Sequence, residues 1–435
     1  MGNERTWRFG GMILGELPKS GPPVRRRIIL LGPQIGYGGS EKSFIRLANF
    51  LSRYHDTTVT LFTSGYGGAD YSHAPEPTHC PVVILDDGKR GWIARWLQRL
   101  RNFRALKRQS DIAISFHSGP NLLNALLSSV GTPSIVSERG SKRYNLNISF
   151  LNRVVWQGVF DPLIYRAATC IVPASSGVGD EIAEGRPKSI ERRIVPIEGY
   201  IDAEELVRSA DQLIEPEYEE LSHFPTIVSC SRLDNGKGLR FLIDLFSRVK
   251  ADVPRSRLLI VGDGPIREEL QGRAMALGLR TSHSPNASAD VIFAGFKPNP
   301  VRYMRVGSVF AFTSRNEGLP NVLIEALASG IDVISADCPW GPRSILAGAR
   351  DNMVSMKNTP APVELEHGLL LPPVGDPGAM GIWLSSLLPR LANPRPRRTP
   401  EERMAAVIRF DINNTGKSWL ALIESLSRSR DLGNS

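Results

Sequence analysis

The chain has little cysteine and no long apolar run, and these two absences exclude whole classes of protein. Its four cysteines are scattered over 435 residues without a Cys-x-x-Cys pair, so neither a zinc site nor a disulfide framework is expected. No stretch approaches the roughly 18 consecutive apolar residues of a membrane-spanning helix. Residues 1–24 lack the apolar core of a signal peptide and are predicted to be a tail. We therefore expect a reduced, cytoplasmic protein that binds no metal.

Signatures of nucleic-acid binding are also missing, although the net charge is +9. Excess positive charge favours anionic partners such as nucleic acid, an anionic membrane surface or a pyrophosphate-bearing substrate. Zinc-finger spacing and RNA-binding aromatic motifs, which would support the first of these, are absent from the sequence. We predict no nucleic-acid partner. An anionic membrane surface and a pyrophosphate-bearing substrate remain as candidate partners.

The sequence lacks both common nucleotide-phosphate motifs. A glycine-rich stretch from Gly32 to Glu41 follows the strand-like run 27–31, but it does not end in the Gly-Lys-Ser/Thr of a Walker loop. Its spacing also differs from the dinucleotide fingerprint. Such a turn either lets the backbone approach a phosphate or simply joins a strand tightly to a helix. Both interpretations stay open for this loop.

Strand-like apolar runs alternate with helical patterns along most of the chain. This alternation predicts parallel sheets covered on both faces, and a length of 435 residues fits two such domains. We predict an α/β fold with two Rossmann-like, doubly wound domains, residues 25–202 and 203–400. Residues 194–196 are interpreted as the last strand of the first domain, the acidic stretch 202–225 as the linker, and residues 401–428 as a final helix.

One stretch, Ser314–Gly330, combines two carboxylates with a strand-to-helix turn. It follows the apolar run 309–313, and Pro320 suits the first turn of a short helix. Glu317 lies at the carboxyl end of the strand, where open α/β sheets place ligands, and the helix start favours an anion. Glu325, about two turns into the helix, can present its carboxylate to hydroxyl groups at the same crevice. Solvated surface glutamates are the alternative, but a diol-binding carboxylate beside phosphate-binding amides suits a nucleotide sugar.

Two cations and a glycine turn follow the strand-like runs of the second half. Arg232 and Lys237 come after the run 226–231, in Arg-Leu-Asp-Asn-Gly-Lys-Gly. An arginine fork and a lysine point charge around a glycine turn suit a diphosphate, although solvated loop charges would look the same. Gly264, after the run 258–261, is a candidate for close backbone approach to a nucleotide.

These motifs, together with Ala336–Arg343 (Ala-Asp-Cys-Pro-Trp-Gly-Pro-Arg), resemble those of the retaining glycosyltransferases of family 4, also called group 1. The resemblance runs from about Ile28 to Trp419. It implies a GT-B fold, in which an N-terminal acceptor-binding domain and a C-terminal nucleotide-sugar-binding domain face each other across a cleft. It also implies that the final helix, 401–428, crosses back and completes the first domain.

The resemblance implies a role for each candidate residue. Arg232 and Lys237 would clamp the donor diphosphate and stabilise charge on the leaving group, and Glu317 would hold sugar hydroxyls and orient the anomeric centre. Contacts with the donor are implied, or kept as candidates, for Gly39, Gly264, Leu319, Asn321 and Glu325.

The chain departs from the family pattern in two places. Many members carry a histidine after the fifth strand, whereas this chain has Glu138-Arg139. The Ser-Glu-Arg variant resembles that of members acting on lipid-linked pyrophosphates, which implies Arg139 as an acceptor contact. His117, after the fourth strand, is a second acceptor candidate, although a lone histidine there is usually structural. Residues 347–367 are interpreted as an inserted loop of unknown role.

Between Lys89 and Arg108 the sequence carries eight Lys/Arg and no acid, interleaved with apolar residues. A basic amphipathic helix of this kind can lie on an anionic membrane. It can equally cover a sheet and turn a charged face to solvent, and the two interpretations are compatible.

From these observations we predict a retaining, metal-independent glycosyltransferase without a cofactor. It would move a hexose or N-acetylhexosamine from a nucleotide-diphosphate sugar, with UDP favoured, to a glycan or a polyprenyl-pyrophosphate-linked acceptor in cell-surface polysaccharide synthesis. It would act in the cytoplasm, with the basic helix at the inner face of the plasma membrane. Two alternatives stay open: a nucleotide-sugar 2-epimerase, and a catalytically silent glycan- or lipid-binding protein of the same fold.

Overall fold

The structure is a computed structural model that describes residues 24–36, 38–63, 78–86, 88–143, 149–348 and 360–433. The chain forms two compact units. The first comprises the residues up to Arg143, Phe150–Ile201 and the residues from Phe410 onward, and the second contains Asp202–Arg409. All but one residue of the predicted tail, 1–24, lies outside the described residues.

The first unit is built on a six-stranded parallel sheet with the strand order β3-β2-β1-β4-β5-β6. Its central strands are continuous apolar runs, because helices cover both faces of the sheet. The strands are β1 (Arg27–Gly32), β2 (Asp56–Leu61), β3 (Val82–Ile84), β4 (Ile112–Phe116), β5 (Ser134–Glu138) and β6 (Cys170–Pro173).

Helices pack on both faces of this sheet. On one face α1 contributes Phe44 and Leu47 to a core with Ile28 and Leu30 of β1. On the other face, Phe103 of α2 joins a core with residues of β1, β4 and α3. A π-helical turn, Trp156–Phe160, joins α4 to α5. The helices are α1 (Gly39–Leu51), α2 (Trp92–Arg108), α3 (Ser118–Leu126), α4 (Phe150–Val155), α5 (Asp161–Ala167), α6 (Ser176–Ala183) and α7 (Lys188–Glu191).

The second unit is built on an eight-stranded sheet with the order β13-β14-β12-β11-β7-β8-β10-β9. Every neighbouring pair is parallel except β13 and β14, which form an antiparallel pair at one edge. The strands are β7 (Thr226–Cys230), β8 (Arg257–Val261), β9 (Thr281–Ser282), β10 (Val291–Gly295), β11 (Val309–Phe312), β12 (Asp332–Ala336), β13 (Val363–Leu365) and β14 (Gly368–Leu371). Strand β13 belongs to the predicted insertion 347–367, of which 349–359 lie outside the described residues.

The helices of the second unit surround this sheet, and one further helix returns to the first unit. The second unit contains α8 (Ala203–Ala210), α9 (Pro216–Glu219), α10 (Leu239–Asp252), α11 (Arg267–Ala276), α12 (Val301–Met304), α13 (Asn321–Ser329), α14 (Pro342–Ala347), α15 (Ala379–Ala392) and α16 (Pro400–Val407). The last helix, α17 (Ile412–Gly433), belongs to the first unit. None of the helices in the described ranges is both long and apolar enough to span a bilayer.

The stretch 202–225, predicted to be a linker, is instead largely helical and part of the second unit. The Asp202 carboxylate accepts a hydrogen bond from the Glu205 N–H at 2.8 Å, which caps the start of α8. Two of the acidic residues that suggested a linker, Glu204 and Glu205, lie in the first turn of this helix, where the helix dipole favours negative charge.

Two further predicted elements differ in the structure. The helix predicted at 401–428 is two helices, because the Asp411 carboxylate accepts from the Asn413 N–H and starts α17 anew. The strand predicted at 194–196 is a single bridge between Ile194 and Ile171. Pro196 has no N–H to extend the ladder.

Helix α17 packs against α1 through a close approach at Gly416. A Cβ at this position would lie 2.3 Å from the Phe50 ring, so only glycine allows the contact. One turn further on, the buried Trp419 donates its indole N–H to the Tyr200 hydroxyl at 3.1 Å. The return segment therefore supplies part of the core of the first unit.

Candidate functional site

In each sheet the winding direction reverses beside the first strand of the unit, and most of the candidate residues follow the strands that meet there. In the first sheet β1 lies between β2 and β4, and in the second sheet β7 lies between β8 and β11. Open α/β sheets bind ligands outside the carboxyl ends of strands at such a switch point. The loops after β7 and β11, together with helix α13, carry most of the predicted donor residues.

The loop after β7 is held rigidly against the end of β11. Asp234 accepts a hydrogen bond from the Gly236 N–H at 2.8 Å, and the Thr313 hydroxyl donates to the Lys237 carbonyl at 2.9 Å. Gly238 has a φ of 65°, and a Cβ there would lie 2.0 Å from the Thr313 carbonyl oxygen. The loop therefore needs glycine at this position to bring Lys237 to the strand end.

Lys237 and Glu317 form an ion pair between the two loops. The Lys237 Nζ lies 2.7 Å from Glu317 Oε1, and the side chains are 23% and 14% accessible. Burial lowers the pKa of Lys237, but the adjacent Glu317 carboxylate outweighs this effect and the net pKa is raised. Lys237 is therefore a fixed cation at neutral pH. Arg232 lies exposed at the start of the same loop.

The backbone of Glu317 is fixed by the segment that follows β12. Its N–H donates to the Pro339 carbonyl at 2.8 Å, and its carbonyl accepts from the Trp340 N–H at 3.2 Å. Gly341, with a φ of 93°, packs so closely on Pro320 that a Cβ would lie 2.6 Å from its ring. The segments Ser314–Gly330 and Ala336–Arg343, which carry the motifs described in the sequence analysis, are therefore in contact.

Helix α13 is buried on most of its surface. Asn321, Val322 and Glu325 are its partly accessible residues, and their spacing puts them on one face. Glu325 therefore shares its face with the first turn of the helix, while Leu319 is largely buried just before it. Pro320, predicted in the first turn, precedes the helix as its N-cap, with an extended ψ of 98°.

Gly264 is required by packing of the loop itself. A Cβ at this position would lie 2.4 Å from the Leu233 carbonyl oxygen and 2.7 Å from its nitrogen. The glycine therefore lets two loops of the second sheet contact each other through their backbones. A donor contact at Gly264 remains a prediction.

At the first switch point, His117 follows β4 in a conformation that is rare for a residue with a side chain. Its φ is 72°, in a region that costs about 1–3 kcal/mol for residues other than glycine. Its Nε2 is buried without a hydrogen-bond partner among the described residues. Burial lowers the pKa of His117. A strained residue with an unused polar atom is a functional-site candidate.

Arg139 and Glu41 lie near this histidine. The Arg139 guanidinium lies 4.5 Å from the centre of the Tyr200 ring, and its Nε and Nη1 have no partner in the described part of the chain. Burial has the largest effect on the pKa of His117 and lowers it; the Glu41 carboxylate raises this pKa, and the Arg139 guanidinium lowers it. Glu41 folds back over Gly38, where a Cβ would lie 2.1 Å from Oε2. Gly39 opens α1 beside them and is exposed.

Sequence reasoning missed a buried charge cluster behind β5. Lys142 Nζ lies 2.9 Å from Glu138 Oε1 and 2.5 Å from Asp161 Oδ1. Burial lowers the pKa of Lys142, but the two carboxylates outweigh it and raise the pKa. The cluster lines a cavity of about 350 Å³ with Tyr165 and Arg186. Only the spacing of Glu138 and Lys142 hinted at the pair, since Asp161 lies 19 residues further on.

Metal ligands do not converge in the described ranges. No group of three or more His, Cys, Asp or Glu side chains there is arranged to hold a metal ion. All four cysteines are buried, and none of them forms a disulfide.

Comparisons with known proteins extend this picture. Residues 224–379 match the family model for glycosyl transferases group 1. An uncharacterized glycosyltransferase of Methanocaldococcus jannaschii is 32% identical over 167 residues, which cover 38% of this chain and 39% of that protein. The N-acetylgalactosamine-N,N'-diacetylbacillosaminyl-diphospho-undecaprenol 4-alpha-N-acetylgalactosaminyltransferase of Campylobacter jejuni is 29% identical over 248 residues. That alignment covers 56% of this chain and 59% of the relative, so the chain spans less than two thirds of either protein.

The likeness to solved structures covers more of the chain. Anabaena HepE in complex with UDP superposes with a TM-score of 0.66 at 18% identity, over 92% of this chain and 100% of that chain. At this identity the likeness concerns the fold alone. The chain therefore has an architecture of GT-B type, and residues 224–379 are similar to the glycosyl transferases of group 1.

Proposed function

We propose that the chain is a retaining, metal-independent transferase that moves a hexose or N-acetylhexosamine from a UDP-sugar to a glycan or polyprenyl-pyrophosphate-linked acceptor. One observation carries the proposal: Lys237 and Glu317 are paired at 2.7 Å where the β7 and β11 loops meet. Arg232 lies on one of these loops, and Glu325 on the helix that follows the other. The set supplies cations for a diphosphate and carboxylates for hydroxyls.

The cations act on the leaving group. As the bond between the anomeric carbon and the diphosphate oxygen breaks, negative charge grows on that oxygen. Fixed cations stabilise such charge without a metal, because they are already oriented before the reaction begins. Arg232 contacts the diphosphate as a fork and Lys237 as a point charge. The amides of Leu319 and Asn321, at the start of α13, add donors for the same anion.

The carboxylates act on hydroxyl groups. Glu325 accepts hydrogen bonds from the ribose hydroxyls, since it lies on the accessible face of α13. Glu317 accepts from the sugar hydroxyls and orients the anomeric carbon. A bound diphosphate competes with Glu317 for Lys237, which frees the carboxylate for the sugar. The acceptor attacks the anomeric carbon from the same face as that from which the leaving group departs. The anomeric configuration is therefore retained.

Unit one supplies the acceptor residues of the proposal. His117 and Arg139 both have buried side-chain nitrogens without partners among the described residues. An arginine with two unused N–H groups suits a phosphate. The name of the Campylobacter jejuni relative specifies an undecaprenol diphosphate acceptor, which supports a lipid-linked acceptor here. The proposal includes action in the cytoplasm, in cell-surface polysaccharide synthesis.

The donor site is tested first by thermal unfolding with UDP, GDP, ADP and several UDP-sugars. A ligand that binds only the folded state raises the melting temperature. We expect UDP or one UDP-sugar to raise it, and Arg232→Ala and Glu325→Ala to abolish that shift. Arg255→Ala is the matched control, since Arg255 is an exposed arginine of the same unit beside Phe224. If no nucleotide changes the melting temperature of the folded protein, the transferase proposal fails. The catalytically silent glycan- or lipid-binding protein then becomes the favoured alternative.

The same assay series addresses the 2-epimerase alternative. Donor incubated without acceptor is followed by NMR for a second sugar epimer. A transferase releases UDP only when an acceptor is added, or slowly by hydrolysis. If the second epimer appears, the transferase proposal is rejected in favour of a nucleotide-sugar 2-epimerase.

A further inference from the structure

Helices α4 and α5 and the turn between them expose an apolar stripe. Leu151, Val155, Val159 and Leu163 follow one another at four-residue spacing, and each is between 44% and 75% accessible. Val154, beside the stripe, is 49% accessible. Four-residue spacing places side chains along one face of a helix. Soluble helices normally turn such a face inward.

Two neighbouring helices extend this surface. The chain winds from β4 to β5 to β6 in one direction, and right-handed crossovers therefore put α3 and α5 on the same face of the sheet. Helix α5 packs beside α3. Helix α2 lies on this face too, because its Phe103 shares a core with Leu123 of α3.

The first turns of α2 add exposed aromatic and aliphatic side chains. Trp92, Ile93 and Leu97 are 75%, 68% and 62% accessible. The helix is anchored further along, where Arg95 and Arg99 pair with the buried Asp86 and Phe103 is fully buried. The basic helix therefore both covers the sheet and presents apolar residues outward.

Charge on this surface is almost entirely positive. Residues 88–110 contain eight Lys/Arg and no acid; Lys107 is buried, and Arg95 and Arg99 pair with Asp86, which leaves five others. Residues 149–168 contain Arg153 and Arg166. The one acid of the second segment, Asp161, is buried and paired with Lys142. Exposed arginines of α2 include Arg101, Arg104 and Arg108. Apolar residues, a tryptophan and arginines on one helical surface are the composition of elements that lie in the interface of an anionic bilayer.

We infer that the exposed stripe of α4–α5, with the first turns of α2, docks the protein on an anionic lipid surface. The stripe enters the headgroup region and the arginines of α2 contact the lipid phosphates. A second copy fits this surface poorly, since a two-fold interface would bring the arginines of both copies together. The inference deepens the proposed function, in which a lipid-linked acceptor is presented at the membrane, but lipid binding does not require the donor site.

The test is co-sedimentation of the full chain with vesicles of phosphatidylcholine, with and without about one third phosphatidylglycerol. We expect binding to the anionic vesicles that weakens with salt. Leu151→Ser/Val155→Ser/Val159→Ser is expected to reduce it roughly tenfold or more, and Trp92→Ser/Leu97→Ser similarly. Arg101→Gln/Arg104→Gln/Arg108→Gln is expected to remove the preference for anionic lipid.

The controls are exposed apolar residues of the other unit. Leu213→Ser and Met275→Ser replace side chains that are 91% and 58% accessible and should leave vesicle binding unchanged. Equal binding by the stripe variant and the controls would overturn the inference. So would a concentration-dependent dimer that the stripe variant abolishes in light scattering, without vesicle binding by the wild type. The UDP-induced melting shift, measured on every variant, reports separately on the donor proposal.

Discussion

Lys237 and Glu317 form an ion pair between the loops that follow β7 and β11. A charge pair that is partly buried is strongly coupled. In the proposed mechanism, Lys237→Ala removes a cation that stabilises the leaving group, and it also leaves the Glu317 carboxylate without this partner.

We predict that Lys237→Ala lowers kcat by about 10²–10³-fold, the typical loss for one preorganised stabilising group. Because the two residues interact, Lys237→Ala/Glu317→Gln should be little worse than the poorer single variant. Steady-state kinetics with donor and acceptor varied in turn measures this. Arg255→Ala serves again as the control. If the kcat loss of the double variant equals the product of the two single-variant losses, Lys237 and Glu317 are not coupled.

Lys107 lies fully buried in the first unit, and its Nζ donates to the Asn124 carbonyl and to the Ser134 hydroxyl. Burial lowers its pKa to about 7, from an ordinary value of 10.5. Between these pH values the unfolded chain binds the proton and the folded chain releases it. Stability therefore rises with pH from about 7 towards 10.5.

We predict that this slope, at most about 1.4 kcal/mol per pH unit, disappears in Lys107→Met. Urea unfolding of both proteins at pH 7 and pH 9, followed by tryptophan fluorescence, measures it. A wild-type slope that persists in Lys107→Met would show that another group titrates. Lys250→Met is the control, since Lys250 pairs with Asp290 at 2.8 Å in the second unit.

At the scale of elements, the loops are shaped by glycines where two backbones touch. Gly238 combines a positive φ with an approach to Thr313 that excludes a Cβ. The loop that carries Lys237 depends on this contact, so its geometry is a property of β7 and β11 together.

We predict that Gly238→Ala displaces the loop and abolishes the UDP-induced melting shift, while destabilising the protein by about 1–3 kcal/mol. Gly272→Ala is the matched control. Gly272 lies inside α11 with no neighbouring atoms within 4 Å of a Cβ, so alanine should stabilise by about 0.5–1 kcal/mol. Differential scanning calorimetry with and without UDP measures both. An unchanged UDP shift in Gly238→Ala would contradict the role of the turn.

At the scale of the whole molecule, the chain leaves the first unit after Ile201 and returns at Phe410. The two crossings are joined within the first unit, where the Ile201 N–H donates to the Phe410 carbonyl and the Ile412 N–H donates to the Ile201 carbonyl. The first unit therefore cannot complete its core until the second half of the chain has been made.

We predict that Trp419→Ala destabilises the first unit by about 3–5 kcal/mol, because it removes a fully buried side chain and leaves the Tyr200 hydroxyl without this partner. The second unit should keep its UDP-dependent melting transition, now separated from an earlier transition of the first unit. Calorimetry resolves the two. Loss of the UDP shift in a folded second unit would contradict the separation of the cores.

What the sequence alone determined was local. Most strands, the glycine turns after β7 and β11, and the α/β class follow from apolar runs and turn residues that are neighbours in the chain. The fold of GT-B type was likewise predicted from motifs and is confirmed, and the predicted likeness to group 1 glycosyltransferases is matched over residues 224–379. Errors fell where a side chain starts a helix: Asp202 and Asp411 looked like linker and helix interior, yet each caps a new helix.

Only the tertiary structure decided which distant residues meet and which surfaces stay uncovered. Lys142 finds Asp161, Lys107 is buried, and His117 takes a strained backbone conformation, although none of these follows from local pattern. The stripe at 151–163 has the spacing of a buried helix face, and its exposure depends on how α3 and the sheet pack beside it. Burial is set by contacts between distant segments, so it becomes visible only when those segments are assembled.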